Sequence, residues 1–344
     1  ILMKKILIIF SLFTLFNCEQ EIPPILPEFE NRIVANSFIR PDTTIAVFLS
    51  NNISVLSNGV PSGITNASIE LYENDIFIGS FSETILEHSD NSHSSSGEPY
   101  RPVEGVYLMD HIPQPANTYR IEIQHSGYPQ TSATTIIPTV QSEFEISLSE
   151  PIILSYDPDY PDEPTYIRYT ATVNIDDALG KNYYEIAVFG EGNSRIGFDD
   201  DGNKLYRKDL FQIDYNSDDL LFEEGNNPAF LGDAGEVFSD DLFNNQKFKL
   251  QITFDIQVGA QAQSFGADGR EVLASWERFF IEVRSLSEEY YQYQYTSSLH
   301  KTITEDPFAE PVQVFSNVEN GLGIFSWYNI ETFEFSLEEF IPEP

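Results

Sequence analysis

From Arg32 onward, apolar residues recur at every second position in short runs separated by Gly, Pro, Asn and Asp, the spacing of pleated strands. In the first third of the chain these runs fall at 33–39, 44–49, 67–72, 76–81, 106–109, 119–123 and 134–137. Ala67, Ile69 and Leu71 share one face of their run while Ser68, Glu70 and Tyr72 share the other, so the sheet has one wet side. Asn74-Asp75 supplies a tight turn into the next run. Seven strands in about a hundred residues predict an immunoglobulin-like β-sandwich over 32–138, without the Cys and Trp of antibody domains.

Pro138 closes this unit, and residues 149–164 form an acidic, proline-rich loop early in the next. Strands are expected again at 166–175, 183–189, 248–256, 279–283, 312–315 and 322–328, while the pattern breaks up between 199 and 245. One helix is expected near 288–300. Glu288 and Glu289 suit its N-terminal end, and His300 and Lys301 its C-terminal end. The second domain, 139–344, is therefore expected to be a β-rich sandwich or barrel-like unit carrying one helix. The loops 51–66 and 87–104, long for a compact domain, are candidates for function or mobility.

The first twenty residues bear on location. Lys4 and Lys5 precede a run at 6–16 that is apolar apart from Ser11 and Thr14, and Cys18, the chain's only cysteine, follows at once. The run falls short of the roughly 20 residues that span a bilayer. It predicts a lipoprotein signal peptide over 1–17, with Met3 as the start and a diacylglycerol on Cys18. Asn17 stands where Gly, Ala or Ser is usual before a lipidated cysteine. Residues 18–31, rich in Glu and Pro, read as an extended tether. Removing 1–17 takes away two lysines and no acid, leaving 16 Lys plus Arg against 55 Asp plus Glu, a charge of −39. Such a surface repels nucleic acid and anionic lipid, so membrane attachment must come from the acyl chains. With 41% hydrophobic and 14% aromatic residues, the chain nevertheless has ample material for a packed core.

Candidate chemistry is sparse. Asp199, Asp201 and Asn203 alternate like the first ligands of a calcium loop, yet Leu210 stands where an EF-hand wants Glu, so an acidic turn is preferred. His88, Asp90 and His93 lie in a Ser/Asn-rich loop and read as solvated. No Gly-x-Ser-x-Gly elbow, HExxH or phosphate-binding glycine loop is present, and no residue is assigned as catalytic. Tyr290, Tyr291, Tyr293 and Tyr295 all fall on the expected helix. The default is that all four pack against the protein's own sheet; the functional alternative is that some meet a partner or ligand.

Two resemblances extend this reading. The segment from Gly105-Val106-Tyr107-Leu108 through Tyr119-Arg120-Ile121-Glu122-Ile123 to Gly127 resembles the last strands of carboxypeptidase-regulatory-like, transthyretin-type domains. Phe238-Ser239-Asp240-Asp241-Leu242-Phe243-Asn244, Leu286-Ser287-Glu288-Glu289-Tyr290-Tyr291, and Asp306-Pro307-Phe308 running on to Ser316-Asn317-Val318-Glu319-Asn320-Gly321-Leu322-Gly323-Ile324-Phe325 resemble the domain-of-unknown-function family 4249 of Bacteroidota outer-membrane lipoproteins. That resemblance implies a surface-exposed partner lipoprotein of a TonB-dependent receptor; with the lack of catalytic motifs, the leading expectation is a non-enzymatic accessory or binding subunit of such a receptor or another outer-membrane complex, with no cofactor beyond the lipid. It supplies no catalytic residues. An extracellular glycan- or protein-degrading enzyme and an adhesive module are the alternatives. The Asn320-Gly321 pair suits a tight turn, so the last motif is expected to be conformational.

Overall fold

The computed structural model describes residues 29–337 apart from 42, 55–56, 58, 87–102, 139–141, 156–164, 199–201, 223–235, 259–262, 266–270, 274–277 and 305–311. The first strands are β1 (Ile33–Ile39), β2 (Ile45–Asn51), β3 (Ser68–Glu73), β4 (Ile76–Ser80), β5 (Ser82–Leu86), β6 (Val103–Met109), β7 (Thr118–Gln124) and β8 (Thr131–Ile136). Then come β9 (Glu143–Leu148), β10 (Ile152–Ser155), β11 (Thr165–Asp176), β12 (Tyr183–Phe198), β13 (Lys204–Ile213), β14 (Tyr215–Asn216) and β15 (Glu236–Ser239). The last elements are β16 (Lys247–Val258), β17 (Gln263–Phe265), β18 (Glu271–Leu273), β19 (Arg278–Leu286), helix α1 (Glu288–Thr304), β20 (Val318–Glu319) and β21 (Leu322–Ser336).

These strands form three sheets. The largest runs β17-β18-β12-β19-β21-β1-β2-β6-β5, with β13 and β15 also paired to β12. One half of it packs on the sheet β20-β8-β7-β3-β4, enclosing a core that includes Ile33, Val47, Leu71, Tyr119, Ile121, Phe325 and Trp327. The other half packs on β10-β11-β16-β14, to which β9 is added, around Tyr169, Val173, Ile186, Phe254, Phe279 and Ile281. Two sandwiches therefore share one continuous sheet, and none of the sheets closes into a barrel among the described residues.

Strand β21 serves both. Its early residues Phe325 and Trp327 belong to the first core, and Phe333 and Phe335 pack against the second. It runs parallel to β1, from Val34↔Leu322 to Ile39↔Trp327, and antiparallel to β19. The expected turn at Asn74-Asp75 is present, with both residues at positive φ (50° and 64°), the two-residue hairpin conformation.

The pair β11/β16 follows the alternation rule along its full length. Ile167, Tyr169, Ala171, Val173 and Ile175 point inward opposite Ile256, Phe254, Ile252, Leu250 and Phe248, leaving the polar residues between them to face out. Tyr169 and Phe254 stack at 5.9 Å.

Four expectations need correction. The region 199–245, where the sequence pattern breaks up, holds β13, β14 and β15, and the expected loop at 149–164 holds β10. Strand β5, one residue beyond β4, was not anticipated. Residues 312–315 form no strand, because their backbone is met by the helix: the Phe315 amide donates to Thr296 Oγ1 at 2.8 Å, and His300 Nδ1 lies 2.8 Å from the Val312 carbonyl.

Candidate functional site

Helix α1 begins where the sequence places it. Ser287 is its cap: Oγ accepts from the Tyr290 amide at 3.2 Å and from the Trp327 amide at 3.3 Å, while the Ser287 amide donates to the Trp327 carbonyl at 2.9 Å. The helix is thus stitched to β21 at its first residue. Tyr290 is buried with Tyr183, Val237 and Leu286, and its ring meets Phe38 edge-on at 5.2 Å. Tyr291 stacks on Tyr183 at 4.6 Å and Tyr295 on Tyr291 at 5.8 Å, while Tyr293 approaches Phe38 at 6.4 Å. Tyr291, Tyr293 and Tyr295 remain half-buried.

Beneath the helix lies a charged cluster. Arg284 donates to Glu185 at 3.0 Å and to Glu282 at 2.8 Å, and Tyr290 donates to the same Glu185 oxygen at 3.3 Å. Burial opposes the charge on Arg284, but the two carboxylates outweigh it and hold its pKa above the ordinary range. Burial, reinforced by the Glu185 charge, raises the Tyr290 phenol. This cluster fixes the helix on the sheet.

A second surface lies on the outer face of β11 and β16. The register sets Arg168 opposite Asp255, Thr170 opposite Thr253 and Thr172 opposite Gln251. Each pair is joined: Arg168 forms a two-pronged bond to Asp255 at 2.7 and 2.8 Å, the two Thr hydroxyls lie 3.4 Å apart, and Gln251 donates to Thr172 at 3.5 Å. The hydrogen bonds from Arg168 hold the Asp255 carboxyl below the usual range. A ledge at 216–219 bounds this face. Ser217 donates to the Gln251 carbonyl at 2.6 Å, and Asp219 caps the short 3-10 turn Leu220–Phe222 by accepting from the Leu221 amide at 3.1 Å. Tyr215 and Leu221 anchor the ledge in the core, with the Tyr215 hydroxyl bonded to the Ile186 carbonyl at 3.1 Å. Between ledge and sheet lies an open groove of ≈ 600 Å³.

Cys18, Asp199, Asp201, His88, Asp90 and His93 lie outside the described residues, as do the tether at 18–28 and the 306–311 part of the family motif. Asn203 is exposed. Among the described residues no three His, Cys, Asp or Glu side chains stand together as a metal site, and no helix is long and apolar enough to cross a membrane. Sequence reasoning singled out the helix and missed the groove. The signal present was the run of hydrogen-bonding side chains at 168, 170 and 172 on a strong strand, which reads like any solvated face.

The motifs that carried the family resemblance build seams. Asn317 accepts from the Phe325 amide at 2.9 Å and donates to the Phe325 carbonyl at 2.7 Å and to the Thr134 carbonyl at 3.1 Å, imitating a strand residue. Asp240, fully buried, accepts from Asn182 at 3.4 Å, and its amide donates to the Asn182 carbonyl at 3.1 Å. Burial raises its pKa. Nearby, Asp177 accepts from the Tyr184 hydroxyl and from the Asn245 amide.

Among solved structures, the B domain of a biofilm associated protein aligns over 90% of this chain and 87% of its own at 8% identity, with a TM-score of 0.16. No curated protein matches. The family model described as Domain of unknown function (DUF4249) matches residues 19–334, a span that takes in all three seam-forming motifs, and the chain belongs to that family.

Proposed function

We propose that this protein is a lipid-anchored, surface-exposed outer-membrane protein that acts as a non-enzymatic binding subunit beside a TonB-dependent transporter or a related outer-membrane complex. The observation that carries this reading is the groove on β11 and β16: an open, preformed recess of ≈ 600 Å³, within the range of small-ligand sites of about 300–1,000 Å³. Its strongest charges are already satisfied, since Arg168 and Asp255 hold one another in a two-pronged bond and Asp255 is kept ionised. Groups so fixed suit recognition better than proton transfer, which calls for a pKa near the working pH. The N-terminal pattern ending at Cys18 supports the anchor. The helix face carrying the half-buried Tyr291, Tyr293 and Tyr295 is the surface we assign to the protein partner.

The test is purification from native membranes in mild detergent. Wild-type chain is expected in the membrane fraction with an outer-membrane receptor co-eluting. Cys18→Ser is expected to appear in the soluble fraction, because residues 18–344, at a charge of −39, have no other strong hold on an anionic surface. Unchanged membrane partition with no lipid mass on the N-terminal peptide would defeat the anchor, and elution without any membrane-protein partner would defeat the accessory role.

A further inference from the structure

We infer that the groove on β11 and β16 is a binding site for a neutral oligosaccharide; this rests on the binding role proposed above and gives its ligand a chemical class. Polarity comes first. Every lining side chain is polar or charged, so the recess offers no apolar floor for a lipid or a hydrophobic peptide.

Charge narrows the choice further. Arg168 and Lys249 stand against Asp218, Asp219 and Asp255, leaving the lining close to neutral on a chain that carries −37 overall. An anionic ligand would meet three carboxylates and the field of the whole protein. A cationic one would meet Lys249 at one end of the row and, at the other, Arg168 with its carboxylate partner Asp255 already engaged. What the lining offers is hydroxyl, amide and paired ionic groups that both donate and accept. A sugar hydroxyl does the same, so each rung can exchange its internal hydrogen bond for two to the ligand.

Geometry adds order. Register places the rungs Arg168/Asp255, Thr170/Thr253 and Thr172/Gln251 two residues apart along the strands, at intervals of about 7 Å. A linear chain of repeating polar units can lie along such a row. Tyr166 stands on the same face, one step beyond Arg168, and is 41% exposed, enough to present a ring for stacking against a sugar. The ledge at 216–219 is tied down by the buried Tyr215 and Leu221, so little ordering entropy is lost on binding.

The experiment uses detergent-purified full chain against immobilised maltohexaose, cellohexaose, xylohexaose, mannohexaose and chitohexaose, with hexagalacturonate as the anionic probe, followed by calorimetry on any hit. At least one neutral hexasaccharide is expected to bind, with an affinity unchanged between low and high salt. Gln251→Ala and the double variant Arg168→Ala/Asp255→Ala are expected to weaken it by about tenfold or more while leaving the unfolding midpoint close to wild type. Tyr166→Ala should weaken it as well. Failure of every neutral sugar, binding confined to the galacturonate, or an affinity untouched by these variants in a folded protein would each overturn the inference. Co-elution of the membrane partner is measured separately with Gln251→Ala and is expected to persist, so loss of sugar binding and loss of the accessory role are read on different assays.

Discussion

Gly323 sits against Ala35 across the parallel β1/β21 seam at φ +104°, where an added Cβ would stand 2.2 Å from the Ala35 carbonyl oxygen. A side chain is excluded twice there, once by the backbone conformation and once by the neighbouring strand. Gly323→Ala is expected to cost about 2–4 kcal/mol, combining a disfavoured φ with a displaced strand. Gly127, also at positive φ (100°), has nothing within 4 Å of the same imagined atom, and Gly127→Ala should cost only about 1 kcal/mol. Urea unfolding of the two variants side by side measures the difference; equal losses would show that the seam gives way.

Ser287→Ala removes the helix cap and leaves the Trp327 amide without the same oxygen. A loss of about 1–2 kcal/mol is expected, at the upper end for a cap. Ser287→Asp keeps an acceptor at the helix start and should recover part of it. No recovery in thermal melts would mean that the hydroxyl's fit in its buried pocket matters more than its lone pairs.

The four helix tyrosines should separate by burial. Tyr290, 6% exposed and bonded to Glu185, is expected to cost about 3 kcal/mol or more on change to Ala. Tyr295, at the outer end of the stack on Tyr291, should cost less than about 1 kcal/mol and instead reduce co-purification of the membrane partner. A Tyr295→Ala protein that keeps its partner at full yield would move the contact elsewhere on the surface.

Glu236 predicts a pH slope. Its carboxyl faces the core beside Ile186 and Tyr215, and burial raises its pKa from 4.5 to about 7. Below the lower value both folded and unfolded chains bind the proton and nothing is lost. Between the two values the unfolded chain releases it while the fold retains it, so stability falls as pH rises, by about 3 kcal/mol once above the higher value. Glu236→Gln should flatten that part of the profile, read as the difference between variant and wild type in denaturation from pH 4 to 8. Superimposable profiles would place the carboxylate in contact with water.

Strands that bury one side and wet the other announced themselves. The expected 166–175 and 248–256 became β11 and β16 because inward Val, Ile and Phe alternate with outward Thr, Lys and Gln without a slip. β12 was foreseen only to 189, since the glycines at 190 and 192 interrupt the pattern that its pairing with β13 and β19 sustains. The union of β1 with β21 was out of reach, because nothing local in either strand names a partner so distant along the chain. The groove stayed hidden for a related reason. Outward positions on a strand look alike until the register shows which of them face one another and a ledge folds over the row.

Because β21 completes both sandwiches, neither core can close until residues 322–336 have left the ribosome. Until then β1 offers an unpaired edge, and Ile33 and Val34 lie beside a gap that only Leu322 and its neighbours fill. Such late, long-range pairing slows folding and prolongs exposure of sticky strand edges. Truncation of the last strand should therefore leave neither half as a stable remnant, and a chaperone that holds the nascent chain extended would favour the native topology over premature pairing of β1 with a wrong edge.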